Sequence, residues 1–168
     1  IQAQVSGSIY NGFRRNITKI STHGWGTGLL VADGKVFTFN GTEGNGNWTR
    51  GAYADRGSEG SGLLNMREVT FPGETGVLVD AGQQAAQAYA LFDNGNLWMW
   101  GYNQRGGLGD GTFTDRFLPV LSTTNVAKMF YHPSQDAREA AYTHTMIQKT
   151  DGRVYACLLY TSPSPRDS

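Results

Sequence analysis

The most constraining feature of the sequence is a hairpin pattern that occurs three times. Each copy consists of an apolar run, a turn that contains Asp-Gly or Asn-Gly, and a second run that alternates. The turn glycines are Gly34, Gly95 and Gly152, at intervals of 61 and 57 residues. Such a turn between alternating runs is the strongest short-range hairpin signal, because a type I′ turn needs positive φ at both central residues. The spacing predicts a long repeat, with about one four-stranded sheet per unit.

Other segments occur at corresponding places around these hairpins. A short apolar strand precedes each one, at 19–24, 77–82 and 126–130, and no stretch shows convincing helical periodicity. We therefore expect an all-β fold, a partial β-propeller of about three four-stranded blades. The predicted units are a strand or linker of a preceding blade (1–18), a degenerate first repeat (19–76) with a Gly-rich insertion (50–62), a second repeat (77–125) and a truncated third repeat (126–156).

The second repeat carries a specific motif. Trp100 to Thr112 reads Trp-Gly-Tyr-Asn-Gln-Arg-Gly-Gly-Leu-Gly-Asp-Gly-Thr, and Pro119-Val120 follows. With Ala90-Leu91 upstream, this segment resembles the repeat of the regulator of chromosome condensation family. The resemblance implies a seven-bladed ring, of which the chain supplies at most about three blades. The first repeat departs from the motif, since Phe39-Asn-Gly41 stands where the family has Trp-Gly.

The residues of the motif also have a physical interpretation. Alternation puts Leu97 and Met99 on one face of a strand and Trp98 and Trp100 on the other, so that both faces can pack against neighbouring blades. The glycines allow positive φ and close backbone approach, and Asn103 can satisfy backbone groups of an irregular loop. The residues that we expect to build the repeat are Gly34, Gly82, Gly95, Trp98, Trp100, Gly101, Asn103, Gly106, Leu108, Gly109, Gly111, Pro119 and Gly152.

The end of the sequence has a different texture. The residues from Cys157 to Asp167 resemble the translation, in one reading frame, of a transposase-type sequencing-library adaptor. A natural Ser/Pro-rich linker is the alternative interpretation. We therefore treat 157–168 as a non-native tail and leave it out of the predicted fold.

Candidate chemistry is sparse. His132 and His144 are separated by 12 positions, which matches no usual metal-ligand spacing. Glu59, Glu68 and Glu74 stand singly in a predicted insertion between strands, and no paired carboxylates emerge. We therefore predict no catalytic residue, no metal site, no cofactor and no enzymatic activity. The alternative is an enzyme whose propeller pocket lies in blades outside this sequence.

Charge and loop composition indicate a binding protein. Lys and Arg number 14 and Asp and Glu also 14, so we expect no nucleic-acid partner, which would require a basic face. No apolar run is long enough to span a membrane. In the Gly/Asn-rich loop, Trp48 and Arg50 are the predicted contacts to an unknown macromolecule, a protein or a cell-surface component. The polar, Lys-poor sequence is rich in Gly, Asn and Thr and looks more like the related repeats of viral tail or bacterial surface proteins, so we expect an extracellular or virion location. The alternative is an intracellular exchange-factor-like or chromatin-associated propeller.

Overall fold

The computed structural model describes residues 15–22, 28–39, 67–84, 87–103, 105–131 and 145–157. In these ranges all regular structure is β-strand, which confirms the predicted all-β class. Trp48, Arg50, the 50–62 insertion, His132, His144 and the tail from residue 158 lie outside them. The strands are β1 Ile17–Thr22, β2 Gly28–Ala32, β3 Lys35–Phe39, β4 Arg67–Glu68, β5 Leu78–Gln84, β6 Gln87–Phe92, β7 Leu97–Gly101, β8 Arg116–Thr123, β9 Val126–Tyr131, β10 Thr145–Lys149 and β11 Val154–Cys157.

The strands form three antiparallel sheets in which chain neighbours pair side by side. The orders are β1-β2-β3-β4, β5-β6-β7-β8 and β9-β10-β11, the last with three strands in the described part of the chain. This is the arrangement of consecutive blades of a β-propeller. Cys157, which the sequence analysis placed in the tail, ends β11 and pairs with Thr145.

The hairpin turns are of two kinds. Asp33 and Gly34 both have positive φ, at 51° and 72°, as a type I′ turn requires. The type I′ prediction is wrong for the other two hairpins, where only the glycine is left-handed, Gly95 at 80° and Gly152 at 85°. There the glycine N–H bonds back to a carbonyl three residues earlier, at 2.9 Å in both turns. Each of these loops is longer than two residues, so one left-handed glycine is enough to close it.

One apolar core lies between the first and second sheets. Trp98 and Trp100 of β7 pack there with aliphatic side chains of β2 and β3. Phe71 lies edge-on to Trp98 and to Trp100, with ring centroids 5.8 and 5.9 Å apart. The buried members of this core are Leu29, Val31, Val36, Ala81, Ala88, Ala90, Phe92, Trp98 and Trp100.

A second core lies between the second and third sheets. Leu97 and Met99 face it from β7, opposite the two tryptophans, as the alternation predicts. Since β7 is buried on both faces, it carries large apolar side chains at consecutive positions. The members of this core are Tyr89, Leu91, Leu97, Met99, Leu108, Val126, Met129 and Ile147.

In each sheet the strand ends lie on two opposite sides, and we use the word edge for these two sides. We call one side the loop edge. It is the side on which β1, β3, β5, β7 and β9 end, and most of the connections that start there are long. At the opposite edge, the turn edge, lie the three tight hairpin turns. The first two sheets point the same way, because Ser21 of β1 and Gln83 of β5 bond to each other near the ends of their strands. The connections that leave from the loop edge are 23–27, 40–66, 85–86, 102–115 and 132–144.

Candidate functional site

The connection from β7 to β8 is the long loop that the structure describes most fully. It runs from Tyr102 to Asp115, and residue 104 alone lies outside the description. Its polar residues and glycines belong to the motif that the sequence analysis singled out. This loop therefore shows what the loop edge can present to a partner.

Asn103 organises the loop from its centre. Its side chain is completely buried, and its Nδ2 donates to Asp110 Oδ1 and to the Thr112 carbonyl, both at 3.0 Å. Its Oδ1 accepts the Leu108 N–H at 3.0 Å, and its own N–H donates to Asp115 Oδ1 at 2.6 Å. A buried amide with all these partners fixes several points of an otherwise irregular backbone.

Asp110 supplies the negative charge of this network. Its Oδ1 accepts the Thr112 N–H and hydroxyl, and its Oδ2 accepts Arg116 Nε at 2.7 Å. Burial raises the pKa of Asp110, but the hydrogen bonds from Thr112, Arg116 and Asn103 outweigh it and lower the pKa overall. The carboxylate thus stays ionised and paired, and it is occupied as an acceptor rather than available as a base.

The glycines of the loop serve two purposes. Gly106, Gly109 and Gly111 have positive φ, between 63° and 75°, where a side chain would be strained. Gly107 has no positive φ, but a Cβ there would lie 2.4 Å from Gln87 Nε2. That amide donates to the Tyr102 carbonyl at 2.9 Å, so Gly107 leaves room for a buried bond that holds the start of the loop.

Leu108 fastens the loop to the body of the protein. Its side chain is completely buried in the core between the second and third sheets. Its carbonyl accepts the Ser122 hydroxyl at 2.6 Å. The loop is therefore packed against the blade and does not extend freely into solvent.

The outer surface of the loop was missed by the sequence analysis. Arg105, Phe113 and Thr114 are exposed, and the Phe113 side chain is 64% exposed. A large aromatic residue between two threonines in a polar loop is the signal that could have identified it. Trp48 and Arg50, the contacts predicted from the sequence, lie outside the described residues.

A second polar cluster lies at the turn edge around Glu74. Its carboxylate accepts Trp98 Nε1 at 2.6 Å, Asn94 Nδ2 at 2.7 Å and Asn96 Nδ2 at 3.0 Å. It also accepts the Gly76 N–H at 2.8 Å. The sequence places Glu74 singly, without a second carboxylate, and folding brings the hairpin turn of the second sheet onto it.

The same donors set the protonation state of Glu74. Burial raises the pKa, but the hydrogen bonds from Gly76, Trp98, Asn94 and Asn96 outweigh it and lower the pKa to about 2. Glu68 forms an exposed ion pair with Lys35 at 2.7 Å. Both carboxylates have partners of their own in the fold.

Polar contacts also join the first two sheets. Lys19 Nζ lies 2.5 Å from Asp80 Oδ1, and the Tyr89 hydroxyl donates to Asp80 Oδ2 at 2.8 Å. Burial raises the pKa of Tyr89, and the nearby Asp80 carboxylate raises it further, so the phenol stays protonated at neutral pH. The arrangement joins neighbouring blades and contains no activated nucleophile.

Over the described ranges, no group of three or more His, Cys, Asp or Glu side chains is placed to hold a metal ion. In those same ranges, no helix is long and apolar enough to cross a membrane.

Residues 94–147 match the sequence model described as Regulator of chromosome condensation (RCC1) repeat. This confirms the resemblance drawn from the motif, and the matched segment includes the whole of the 102–115 loop. No curated protein matches the chain by sequence.

Among solved structures, the chain is similar to yeast RCC1 (Prp20) bound to Kap60, with a TM-score of 0.59 and 18% identity over 89% of this chain and 35% of that one. It is also similar to human WBSCR16, with a TM-score of 0.56 and 17% identity over 84% of this chain and 34% of that one. The chain thus spans about a third of these structures, and at such identities the likeness shows the shared fold.

Proposed function

We propose that the chain is a non-catalytic β-propeller repeat module that presents its loop edge to a protein partner. The observation that carries this proposal is the 102–115 loop, which is long, lies at the loop edge and is held in one conformation by Asn103 and Leu108. A loop whose polar groups are already paired loses little conformational freedom when a partner docks on it. Rigid scaffolds that carry long loops along one edge are a common basis for recognition.

The polar clusters support a non-catalytic role. Asp110 and Glu74 have lowered pKa values because hydrogen bonds and, for Asp110, an ion pair stabilise their charged forms. Tyr89 has a raised pKa and stays neutral. A general base or nucleophile would instead have a pKa close to the working pH and a free site for substrate beside it.

The structural likeness supports a protein as the partner. The yeast RCC1 (Prp20) structure holds that propeller in complex with another protein, Kap60. For this chain the partner remains a proposal, since the chain spans about a third of that propeller. We further propose an extracellular or virion setting, as part of a viral tail or bacterial surface protein. The balance of 14 basic and 14 acidic residues supports this over a chromatin-bound role.

A pair of matched substitutions tests which edge binds. Thr114 and Thr150 are both exposed threonines, one at the loop edge and one at the turn edge. Protein binders would be selected against the immobilised full chain from a phage-displayed library of small domains. We expect Thr114→Arg to abolish the binding of most selected domains and Thr150→Arg to leave it unchanged, because only the former introduces a bulky charge at the loop edge.

Binding would be measured by biolayer interferometry. Binders that lose affinity on Thr150→Arg and keep it on Thr114→Arg would contradict the proposal. The catalytic alternative would be supported if the chain turned over a substrate and lost that activity without losing its fold on mutation of a described residue.

A further inference from the structure

Phe113 differs from the other exposed apolar residues of the described chain in its location. Its side chain is 64% exposed in the 102–115 loop. The remaining large exposed apolar side chains lie on strands or immediately before β5. They are Ile17, Ile20, Val77, Val79, Leu118, Leu121, Phe130, Met146, Val154 and Tyr155.

The position of Phe113 is held by the network beneath it. The preceding residue, Thr112, bonds to both Asn103 and Asp110. The aromatic ring lies against Gly106, where an added Cβ would be 3.2 Å from Phe113 Cε1. An exposed ring on such a fixed backbone offers apolar surface to a partner at low entropic cost.

Arg105 brings an exposed positive charge to the same loop. Arg105 is exposed and directly precedes Gly106, on which the ring lies. The acidic residues of the loop are already occupied, because Asp110 pairs with Arg116 and Asp115 accepts the Asn103 N–H. The solvent-facing surface of the loop therefore combines an aromatic ring with a guanidinium.

We propose that Phe113 and Arg105 together form the anchor by which the loop edge binds a protein surface with an apolar pocket bordered by carboxylates. This inference rests on the proposed function and specifies the chemistry of the partner. Phe113 would fill the pocket, and the guanidinium would donate paired hydrogen bonds to an Asp or Glu of the partner. Aromatic residues and Arg are the groups on which binding energy most often concentrates at interfaces.

The probe is a phage-displayed library of random peptides, selected against the immobilised full chain. We expect enriched peptides to place a large apolar residue next to Asp or Glu. For a synthesised peptide of this kind, Phe113→Ala and Arg105→Glu should each raise the Kd about ten-fold or more. Thermal unfolding of Phe113→Ala should match that of the original chain, because an exposed side chain contributes little to the core.

Two matched controls separate the anchor from general surface effects. Leu118→Ala removes a side chain that is 67% exposed from β8, and Arg153→Glu reverses a charge at the turn edge. Both should leave the peptide Kd unchanged.

The inference is overturned if no peptide is enriched above the Phe113→Ala chain, if the enriched peptides are basic, or if Phe113→Ala leaves the Kd unchanged. If Thr114→Arg raises the peptide Kd and Phe113→Ala does not, this inference is wrong and the proposed function stands. If Thr150→Arg raises the peptide Kd and Thr114→Arg does not, both this inference and the proposed function are wrong.

Discussion

Two turn glycines with the same sequence signature have different surroundings in the fold. Gly34 and Gly95 are both left-handed, with φ of 72° and 80°. An added Cβ at Gly34 would meet nothing within 4 Å, whereas at Gly95 it would lie 3.0 Å from the Asn125 Cα. The Gly95 carbonyl also accepts the Val126 N–H at 2.9 Å. Gly95 therefore closes a hairpin and also lets the connection between two blades pass over it.

We expect Gly95→Ala to destabilise the chain more than Gly34→Ala. Left-handed φ alone costs a non-glycine residue about 1–2 kcal/mol, and this applies at both positions. At Gly95 the methyl group must also displace the backbone of Asn125, and overpacking of this kind adds about 1–3 kcal/mol. Urea unfolding of the two variants measures the difference, and equal losses would show that Asn125 moves aside freely.

Among the elements of the fold, the connection from β4 to β5 is held to the second sheet by one side chain. Glu74 lies in this connection and accepts hydrogen bonds from the turn between β6 and β7 and from Trp98. It therefore ties the link between blades to the second sheet. Since its donors stabilise the carboxylate, the strength of this tie depends on pH.

The pH dependence has a definite sign. Folding lowers the pKa of Glu74 from the ordinary 4.5 to about 2, so the stability that it contributes is complete above pH 4.5 and is lost as the pH falls toward 2. Glu74→Gln should destabilise the chain at pH 7, and the deficit relative to the original chain should shrink across this window. Denaturant unfolding at pH 7, 4.5 and 3 measures it.

Glu68→Gln is the control for this experiment, because the Glu68 carboxylate forms an exposed ion pair with Lys35. Exposed pairs contribute about 0–1 kcal/mol, so this substitution should have a small effect at neutral pH. A Glu74→Gln deficit that stays constant from pH 7 to pH 3 would contradict the assigned role of Glu74.

At the scale of the whole molecule, the third sheet has one packed face and one open face. Met129 and Ile147 lie in the core with the second sheet. On the other face, Phe130 and Met146 are paired across β9 and β10 and are 42% and 44% exposed. Val154 of β11 is 54% exposed on the same face, as its pairing with Gln148 shows. An apolar sheet face of this kind favours association.

We expect the chain to self-associate in solution through this open face. Sedimentation velocity over a range of concentrations should show a rising weight-average mass. Met146→Glu should shift the chain toward monomer, because it places a charge at the centre of the face. Leu118→Glu makes the same kind of change on β8 and should not. A chain that is monomeric at all concentrations would rule out this association.

Local features were the ones that the sequence predicted well. The alternation along β7 places Trp98 and Met99 in different cores, as expected. Such features depend on neighbouring residues and on the two-residue period of a strand. The type of turn at Gly95 and Gly152 was predicted wrongly, because the loop length depends on where strand pairing resumes.

Contacts between residues that are far apart in the sequence could not be predicted from it. Glu74 and Trp98 are 24 positions apart, and Lys19 and Asp80 are 61 apart. The identities of these residues do not indicate that they meet, since many other pairs could supply the same donors and acceptors. The exposure of Phe113 is equally a property of the folded loop, because it depends on the direction that Asn103 imposes on the backbone.

The all-β class could be predicted from the sequence alone, as could the succession of hairpins and the residues on each face of β7. These follow from backbone preferences and side-chain periodicity, which operate over a few residues. The folded structure was needed to see which carboxylates have partners, which glycines lie at contacts between blades and which aromatic side chain faces solvent at the loop edge. The physical reason is that burial and hydrogen bonding depend on which strands become neighbours, and that is fixed only when the sheets pack.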